Sequence, residues 1–218
     1  MRQACKAWIA SLVLTFGVVW LSILWLDRPI ALWVHDNFGE VFEEHQMAVR
    51  LVDTKVLSLP FVATCFFIIS GVFALARRYF SRLEATIALC AISMSASVVV
   101  KDELKVVFGR TWPDSWYPGI PSLVRNGAYG FHFFRSGKSF ESFPSGHAAI
   151  AAAILSVLWL LVPNLRLMCA ICILAVDCGL VALNLHFLSD VIAGSFTGVS
   201  VGLFTVALSR AIDSAAKE

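Results

Sequence analysis

The chain has 218 residues, 59% of them hydrophobic and 15% charged, and a formal net charge of +2. Soluble domains carry about 45–50% apolar and about 25% charged residues, and a soluble chain of this length cannot bury so many wholly apolar helices. The composition therefore excludes an ordinary soluble domain and predicts an integral membrane protein. The small net charge comes without a basic stripe interleaved with aromatic residues, so nothing indicates nucleic-acid binding.

Apolar runs of the length that crosses a bilayer as a helix recur along the chain. We expect spans over residues 7–26, 56–76, 84–107, 146–162, 167–187 and 190–208. The first follows Arg2 and Lys6, as in a signal peptide, but its apolar run is long and no small-residue cleavage site follows it, so we expect an uncleaved span. The sequence thus predicts an all-α bundle of about six transmembrane helices, forming one domain over residues 1–218.

The Lys and Arg residues of the short flanks predict the orientation. The side that we expect to be cytoplasmic, together with both termini, carries Arg2, Lys6, Arg77, Arg78, Arg82, Arg166, Arg210 and Lys217. The opposite side has an acidic outer loop over residues 27–55 and a basic one over residues 109–143. In the first loop, a helix lying in the membrane interface is predicted by the apolar stripe of Phe38, Val41, Phe42, His45, Val49 and Val52.

A helix start with phosphate-binding character opens the fourth predicted span, in the segment Ser142-Phe-Pro144-Ser145-Gly146-His147. Pro144 and Ser145 suit the first positions of a helix, where amide groups without a partner in the helix bind phosphate. Gly146 lets the backbone approach a ligand closely, and His147 can reach the same ligand and carry a proton. The alternative is an ordinary helix cap followed by an interfacial histidine.

His186 and Asp190 are four residues apart at the junction of the fifth and sixth predicted spans, so on a helical turn they share a face. A carboxylate on one imidazole nitrogen fixes the tautomer and makes the other nitrogen a better nucleophile. The alternative is a structural His–Asp pair. Ionisable residues at the end of a span are costly unless they are used or solvated, which favours a functional site.

Lys105 and Arg110 lie in the segment that closes the third predicted span and ends in Trp112-Pro113. Their charges can neutralise a phosphate dianion, although each alone could be an ordinary residue whose stem lies along the membrane. All the segments described above are predicted at the outer ends of spans, so we expect them to meet on one membrane face.

Together these segments resemble the type 2 phosphatidic acid phosphatase superfamily, which includes membrane lipid phosphatases, glucose-6-phosphatase and the vanadium haloperoxidases. The family pattern is Lys, six residues, Arg-Pro; then Pro-Ser-Gly-His; then Ser-Arg, five residues, His, three residues, Asp. The resemblance covers residues 98–202.

The resemblance implies a role for each matching position. His186 would be the nucleophile that forms a phosphohistidine, and Asp190 would orient it. His147 would be the general acid for the leaving oxygen. The phosphate oxygens would be held by Lys105, Ser145 and Gly146. The family chemistry requires no metal and no other cofactor.

The chain departs from the family pattern at two arginines. Trp112 stands in place of the arginine before proline, and Leu180 in place of the arginine before the nucleophile. One donor to a developing charge is typically worth about 3–4 kcal/mol, so other cations must take over for the site to work. We expect Arg110, with Arg135 or Lys138 from the loop before the Pro-Ser-Gly-His helix, to bind the phosphate.

The sequence therefore predicts a phosphatase that acts on a lipid phosphomonoester or diphosphate at the non-cytoplasmic face of a bacterial inner membrane. The substrates that the resemblance suggests are undecaprenyl diphosphate, phosphatidylglycerophosphate, phosphatidic acid and the lipid A phosphates. A lipid phosphotransferase with the same intermediate is one alternative, and it would differ in its acceptor site. A non-catalytic lipid-binding or transport protein on the same scaffold is another, supported by Trp112 and Leu180.

Overall fold

The computed structural model describes residues 2–44, 81–115 and 119–215, and the regular elements in these ranges are helical. A π-helical turn, Ser22–Leu26, joins the first two helices, and short 3-10 turns lie at Lys138–Phe140 and Pro163–Leu165. The α-helices are α1 (Arg2–Leu21), α2 (Asp27–Glu44), α3 (Arg82–Phe108), α4 (Leu123–Asn126), α5 (Gly146–Leu161), α6 (Arg166–Ala182) and α7 (Leu188–Ala215).

Several of the described helices are long and apolar enough to span a membrane: Cys5–Val41, Arg82–Phe108, Pro163–Ala182 and Leu188–Ala215. Helix α5 is shorter, at 16 residues, and is largely buried inside the bundle. These helices confirm the predicted all-α membrane fold and match every predicted span except the second. That span, over residues 56–76, lies outside the described residues, and the single domain over the whole chain stays a prediction.

The N-terminal helix is longer than the sequence predicts. We expected a loop to begin at residue 27, but α2 continues the helix to Glu44, and the apolar stretch within it is 37 residues long. Pro29 lies inside this helix, where its ring and its missing N–H disturb the preceding turn. The π-helical segment Ser22–Leu26 accommodates the disturbance there, because local re-pairing of the backbone lets the chain stay helical.

Helix α2 packs over the outer segment of the chain. Its Ala31 lies in a buried cluster with Leu123 and Phe187, against which Tyr129 packs. Leu32, Trp33, Phe38 and Val41 of the same helix are exposed. The apolar stripe that we expected in the membrane interface ends in side chains outside the described residues, those of Phe42, His45, Val49 and Val52.

Helices α5 and α7 pack with little space between their backbones. Gly194, Gly198 and Gly202 lie four residues apart, a spacing that predicts one helix face cleared for close packing. A Cβ at Gly198 would lie 2.1 Å from the carbonyl oxygen of Ala149, and one at Gly202 would lie 1.9 Å from Oγ of Ser156. No side chain fits at either distance, so the predicted close packing is confirmed.

The helix directions place the candidate residues at one end of the bundle. Helices α1 and α3 run toward that end, and α5 and α7 begin there. The indole N–H of Trp8, near the start of α1, donates to Oγ of Ser200 at 3.1 Å, whereas Asp27 accepts a bond from the amide of Ser189. Helices α1 and α7 are therefore antiparallel, and the ends of the described chain lie on the face opposite the candidate site.

Candidate active site

The predicted segments meet around Asp190. Nη1 of Arg110 lies 2.5 Å from Oδ1 of Asp190, and the hydroxyl of Ser142 donates to Oδ2 at 2.6 Å. The amide of Ser145 donates to the carbonyl oxygen of the same aspartate at 3.0 Å. Asp190 thus joins the segment after α3, the start of α5 and the start of α7, which are far apart in the sequence.

His186 stands beside this carboxylate in the tight connection between α6 and α7, at 4% exposure. Its Nδ1 lies 3.5 Å from Oδ2 of Asp190, a contact longer than a hydrogen bond. The ring of Trp112 packs on the ring of His186, with centroids 5.2 Å apart, and its indole N–H donates to the carbonyl oxygen of Lys138 at 2.6 Å. At a position where the family pattern has an arginine, Trp112 therefore holds the imidazole ring in place.

His147 lies in the first turn of α5, as the sequence predicts. The hydroxyl of Ser145 caps this helix start. The amide of Ser145 bonds to the carbonyl oxygen of Asp190, and the stem of Lys101 packs on Gly146. His147 therefore shares one site with His186, Lys101 and Lys105. We call Lys101, Lys105 and His147 the front group. Its members can carry positive charge or donate protons, which suits the binding of an anion.

Lys101 is a member of the site that the sequence analysis did not predict. It lies one turn before Lys105 on α3, and it is 7% exposed. Its stem packs on the glycine of the Pro-Ser-Gly-His segment, because a Cβ at Gly146 would lie 3.1 Å from Cδ and 3.7 Å from Nζ of Lys101. Nζ also pairs with Asp102. The signal in the sequence is the four-residue spacing from Lys105, which places both lysines on one helix face.

Arg110 lies elsewhere than we expected. Instead of facing a substrate phosphate, its side chain is fully buried between two carboxylates. Nη2 lies 2.7 Å from Oδ2 of Asp27, and Nη1 donates to Oγ of Ser189 at 2.6 Å. Burial opposes the charged guanidinium, but the carboxylates of Asp190 and Asp27 outweigh it and hold the pKa of Arg110 above its usual value. We call Asp27, Arg110, Ser189 and Asp190 the rear network.

Asp27 is the second member of the site that the sequence analysis did not predict. Its side chain is fully buried, and it contacts both Arg110 and Ser189. The signal in the sequence is an acidic residue at the end of a long apolar run, which is equally typical of a loop after a span. Its role becomes visible only because α2 continues the helix and packs against the start of α7.

Arg135 and Lys138, the other expected phosphate ligands, have exposed side chains in the outer segment. The guanidinium carbon of Arg135 lies 5.7 Å from the ring centroid of Phe140. The carbonyl oxygen of Lys138 accepts the bond from Trp112. Both residues therefore contribute to the packing of the loop that precedes α5, and their binding of a phosphate stays a prediction.

The chain is similar to known proteins over most of its length. The model of the PAP2 superfamily matches residues 84–213. A lipid A 1-phosphatase of Rhizobium johnstonii is 28% identical over 91% of this chain and 79% of that protein. A lipid A 1-phosphatase of Rhizobium etli is 27% identical over 91% of this chain and 83% of that protein.

Among solved structures, the first transmembrane PAP2 type phosphatidylglycerolphosphate phosphatase, from Bacillus subtilis, is similar with a TM-score of 0.39 and 17% identity. The likeness covers 88% of this chain and 96% of that one. The match to the family model extends over more than half of the chain, from α3 to α7, and includes every segment that meets at Asp190. It confirms the resemblance that the sequence motifs carry: the chain belongs to the PAP2 superfamily.

Proposed function

We propose that this protein removes phosphate from a membrane lipid, with His186 as the nucleophile. Its membership of the superfamily makes it a membrane phosphatase with the phosphohistidine chemistry of that family. The observation that carries the proposal for this chain is the meeting of His186, backed by the buried Asp190, with the front group of Lys101, Lys105 and His147. A nucleophile, a proton donor and anion-binding cations are the groups that such a hydrolysis needs.

The reaction runs in two steps. A ring nitrogen of His186 attacks phosphorus, the bond to the lipid oxygen breaks, and His147 gives that oxygen its proton. A water molecule then attacks the phosphohistidine, with His147 taking up its proton, and inorganic phosphate leaves. Asp190 keeps the ring in one tautomer and stabilises the positive charge on the imidazole of the intermediate, as a buried carboxylate does for other catalytic histidines.

Lys101 and Lys105 supply the positive charge that the missing family arginines leave open. Leu180, at one arginine position, is buried in an apolar cluster with Ala148 and Val191, and Trp112 packs on His186. Neither can neutralise a phosphate. The two lysines lie on the same face of α3 and interact with His147. The amide groups at the start of α5 add further donors to the phosphate oxygens.

Lipid A carrying a phosphate at its 1-position is our first candidate substrate. The support is the similarity to two lipid A 1-phosphatases, each of which the chain matches over about four fifths of its length. We place the site on the non-cytoplasmic face of a bacterial inner membrane, because the opposite ends of the spans are flanked by Arg2, Lys6, Arg82, Arg166 and Arg210.

The test is phosphate release by the purified protein from lipid A, undecaprenyl diphosphate, phosphatidylglycerophosphate and phosphatidic acid, each presented in detergent micelles. We expect release from lipid A to be the fastest, and none from any of them with His186→Ala. With a radiolabelled substrate phosphate, transfer of the label to a second lipid instead of its release as free phosphate would make the protein a phosphotransferase. No reaction with any of these lipids would contradict the proposal.

A further inference from the structure

We infer that Asp27 is a positioning residue of the active site: its carboxylate fixes Arg110, and Arg110 in turn fixes the carboxylate of Asp190 that orients His186. This inference rests on the proposed function. It assigns a role in the reaction to the N-terminal helix, which precedes the part of the chain that the family model matches.

The first argument is the contact geometry of Asp27. Its Oδ1 accepts the amide N–H of Ser189 at 3.0 Å, and its Oδ2 accepts the hydroxyl of Ser189 at 2.5 Å. The same Oδ2 lies 2.7 Å from Nη2 of Arg110. The aspartate therefore binds the backbone beside Asp190 and the guanidinium that contacts Asp190, and it is 1% exposed.

The second argument is charge. Arg110 is the cation between Asp27 and Asp190, and all three side chains are buried from solvent. With both ends of its planar fork occupied, the guanidinium has one orientation, and so does the Asp190 carboxylate that it contacts. The three charges sum to one negative charge beside His186. That charge offsets the positive charge that the imidazole gains when it becomes a phosphohistidine, at a site where water cannot screen it.

The third argument is the docking of the helix that carries Asp27. The hydroxyl of Tyr129 donates to the carbonyl oxygen of Ile23 at 2.8 Å, inside the π-helical turn just before Asp27. The same hydroxyl accepts a bond from Nη2 of Arg110 at 3.2 Å. One turn after Asp27, Nδ2 of Asn184 donates to the carbonyl oxygen of Ala31 at 3.1 Å. The helix is thus fixed on both sides of the aspartate, and burial raises the pKa of Tyr129, so its hydroxyl remains a donor.

The positions of the groups around His186 indicate which kinetic constant should change when the charge of Asp27 is removed. Lys101, Lys105 and His147 lie on the side that binds the phosphate, whereas Asp27 contacts Arg110 and Ser189 in the rear network. Removing the Asp27 charge therefore leaves substrate binding in place and disturbs the orientation and charge balance of the nucleophile. The turnover number should fall while KM stays.

The test compares Asp27→Asn with Trp8→Phe, using phosphate release from lipid A by purified full-length protein. Asp27→Asn keeps the size of the side chain and one acceptor oxygen for Ser189, but it removes the charge and replaces the second acceptor with a donor. We expect kcat to fall by about 10-fold or more, the lower end of the range for outer partners of metal-bound histidines, with KM close to that of the parent. The melting temperature should also fall, because a buried ion pair is lost. Trp8→Phe removes a different bond between the N-terminal helix and α7, and we expect it to leave kcat unchanged.

A double-mutant cycle and a charge-retaining variant separate positioning from support of the fold. In an Arg110→Lys background, Asp27→Asn should cost less than it does in the parent, because the fork that joins the carboxylates is already lost. Asp27→Glu, which keeps the charge, should retain more turnover than Asp27→Asn. If Asp27→Asn does not fold, Asp27→Glu takes its place in the double-mutant cycle. If the losses of kcat in the cycle were additive, or if Asp27→Asn had the kcat of an active parent, this inference would be overturned while the proposed function would stand. A parent that releases no phosphate from any lipid would overturn the proposed function as well.

Discussion

The two sides of His186 are built from opposite arrangements of charge. In the rear network, Arg110 lies between the carboxylates of Asp27 and Asp190, and all three side chains are buried and paired. In the front group, Lys101 and Lys105 lie together beside His147, and the carboxylate bound to Lys101 belongs to the largely exposed Asp102. In the mechanism that we propose, the paired, buried charges orient the nucleophile, whereas the cations on the other side of His186 bind the anion.

The largest expected effect is the loss of the nucleophile between the two sides. His186→Ala should lower turnover by at least about 10⁴-fold, the scale of losing a nucleophile or its base in other hydrolases. The fold should survive, because the rear network keeps its own contacts. Phosphate release is the measurement, and His132→Ala, at an exposed histidine of the outer segment, is the matched control that should behave like the parent.

A large effect on both stability and turnover is expected from Arg110→Ala in the rear network. It leaves two buried carboxylates without a cation, and breaking a buried pair in this way costs about 3–5 kcal/mol. Thermal unfolding in detergent measures the first effect and phosphate release the second. Arg135→Ala, which removes an exposed arginine, is the control. If both variants unfolded at the temperature of the parent, the rear network would not stabilise the site.

In the front group, Lys101→Ala should lower turnover by about 10²-fold, the usual loss for one donor to a transition-state charge. Lys101→Arg should restore part of it, because the charge returns. Lys138→Ala, at an exposed position, should change turnover by no more than about 2-fold, in the range of surface substitutions. A larger loss in Lys138→Ala than in Lys101→Ala would show that the outer loop, rather than α3, supplies the missing charge.

The smallest expected effect is that of EDTA. Since lysines and amide groups of the chain neutralise the phosphate in our account, a chelator should leave the rate of phosphate release unchanged. Vanadate, which resembles the transition state of phosphoryl transfer, should inhibit by competing for the front group. A rate that falls in EDTA and returns with zinc would mean that a metal does the work assigned here to Lys101 and Lys105.

Much of the fold could be predicted because its signals are local. Apolar length predicted the spans, and the four-residue spacing of Gly194, Gly198 and Gly202 predicted a face for close helix packing. That the partner is α5 comes from the structure. The continuation of the first helix beyond residue 26 could not be predicted in the same way. An acidic residue and a proline after an apolar run are typical of a loop, and only the packing of α2 on the outer segment shows why the helix continues.

In the candidate site too, the residues with local sequence signals could be predicted and those with distant partners could not. Short motifs of adjacent or four-residue spacing placed His147, His186 and Asp190, and the contacts through Asp190 bring their segments together. Arg110 was assigned to the phosphate because it lies two residues before Trp112, where the family has an arginine, and because a short segment ties it to Lys105. Its actual partner, Asp27, is 83 positions away, and the pairing of buried charges over that distance leaves no local pattern. Lys101, by contrast, was within reach of sequence reasoning, one helical turn from Lys105.

The central claim is that the phosphoryl group passes through His186. The most direct measurement is a rapid-quench experiment with lipid A labelled at its 1-phosphate, followed by peptide mapping of the labelled protein. Our account predicts label on the peptide that contains His186, stable in base and lost in acid, and no label in His186→Ala. Phosphate release without labelled protein at any reaction time, or label that persists in His186→Ala, would contradict it.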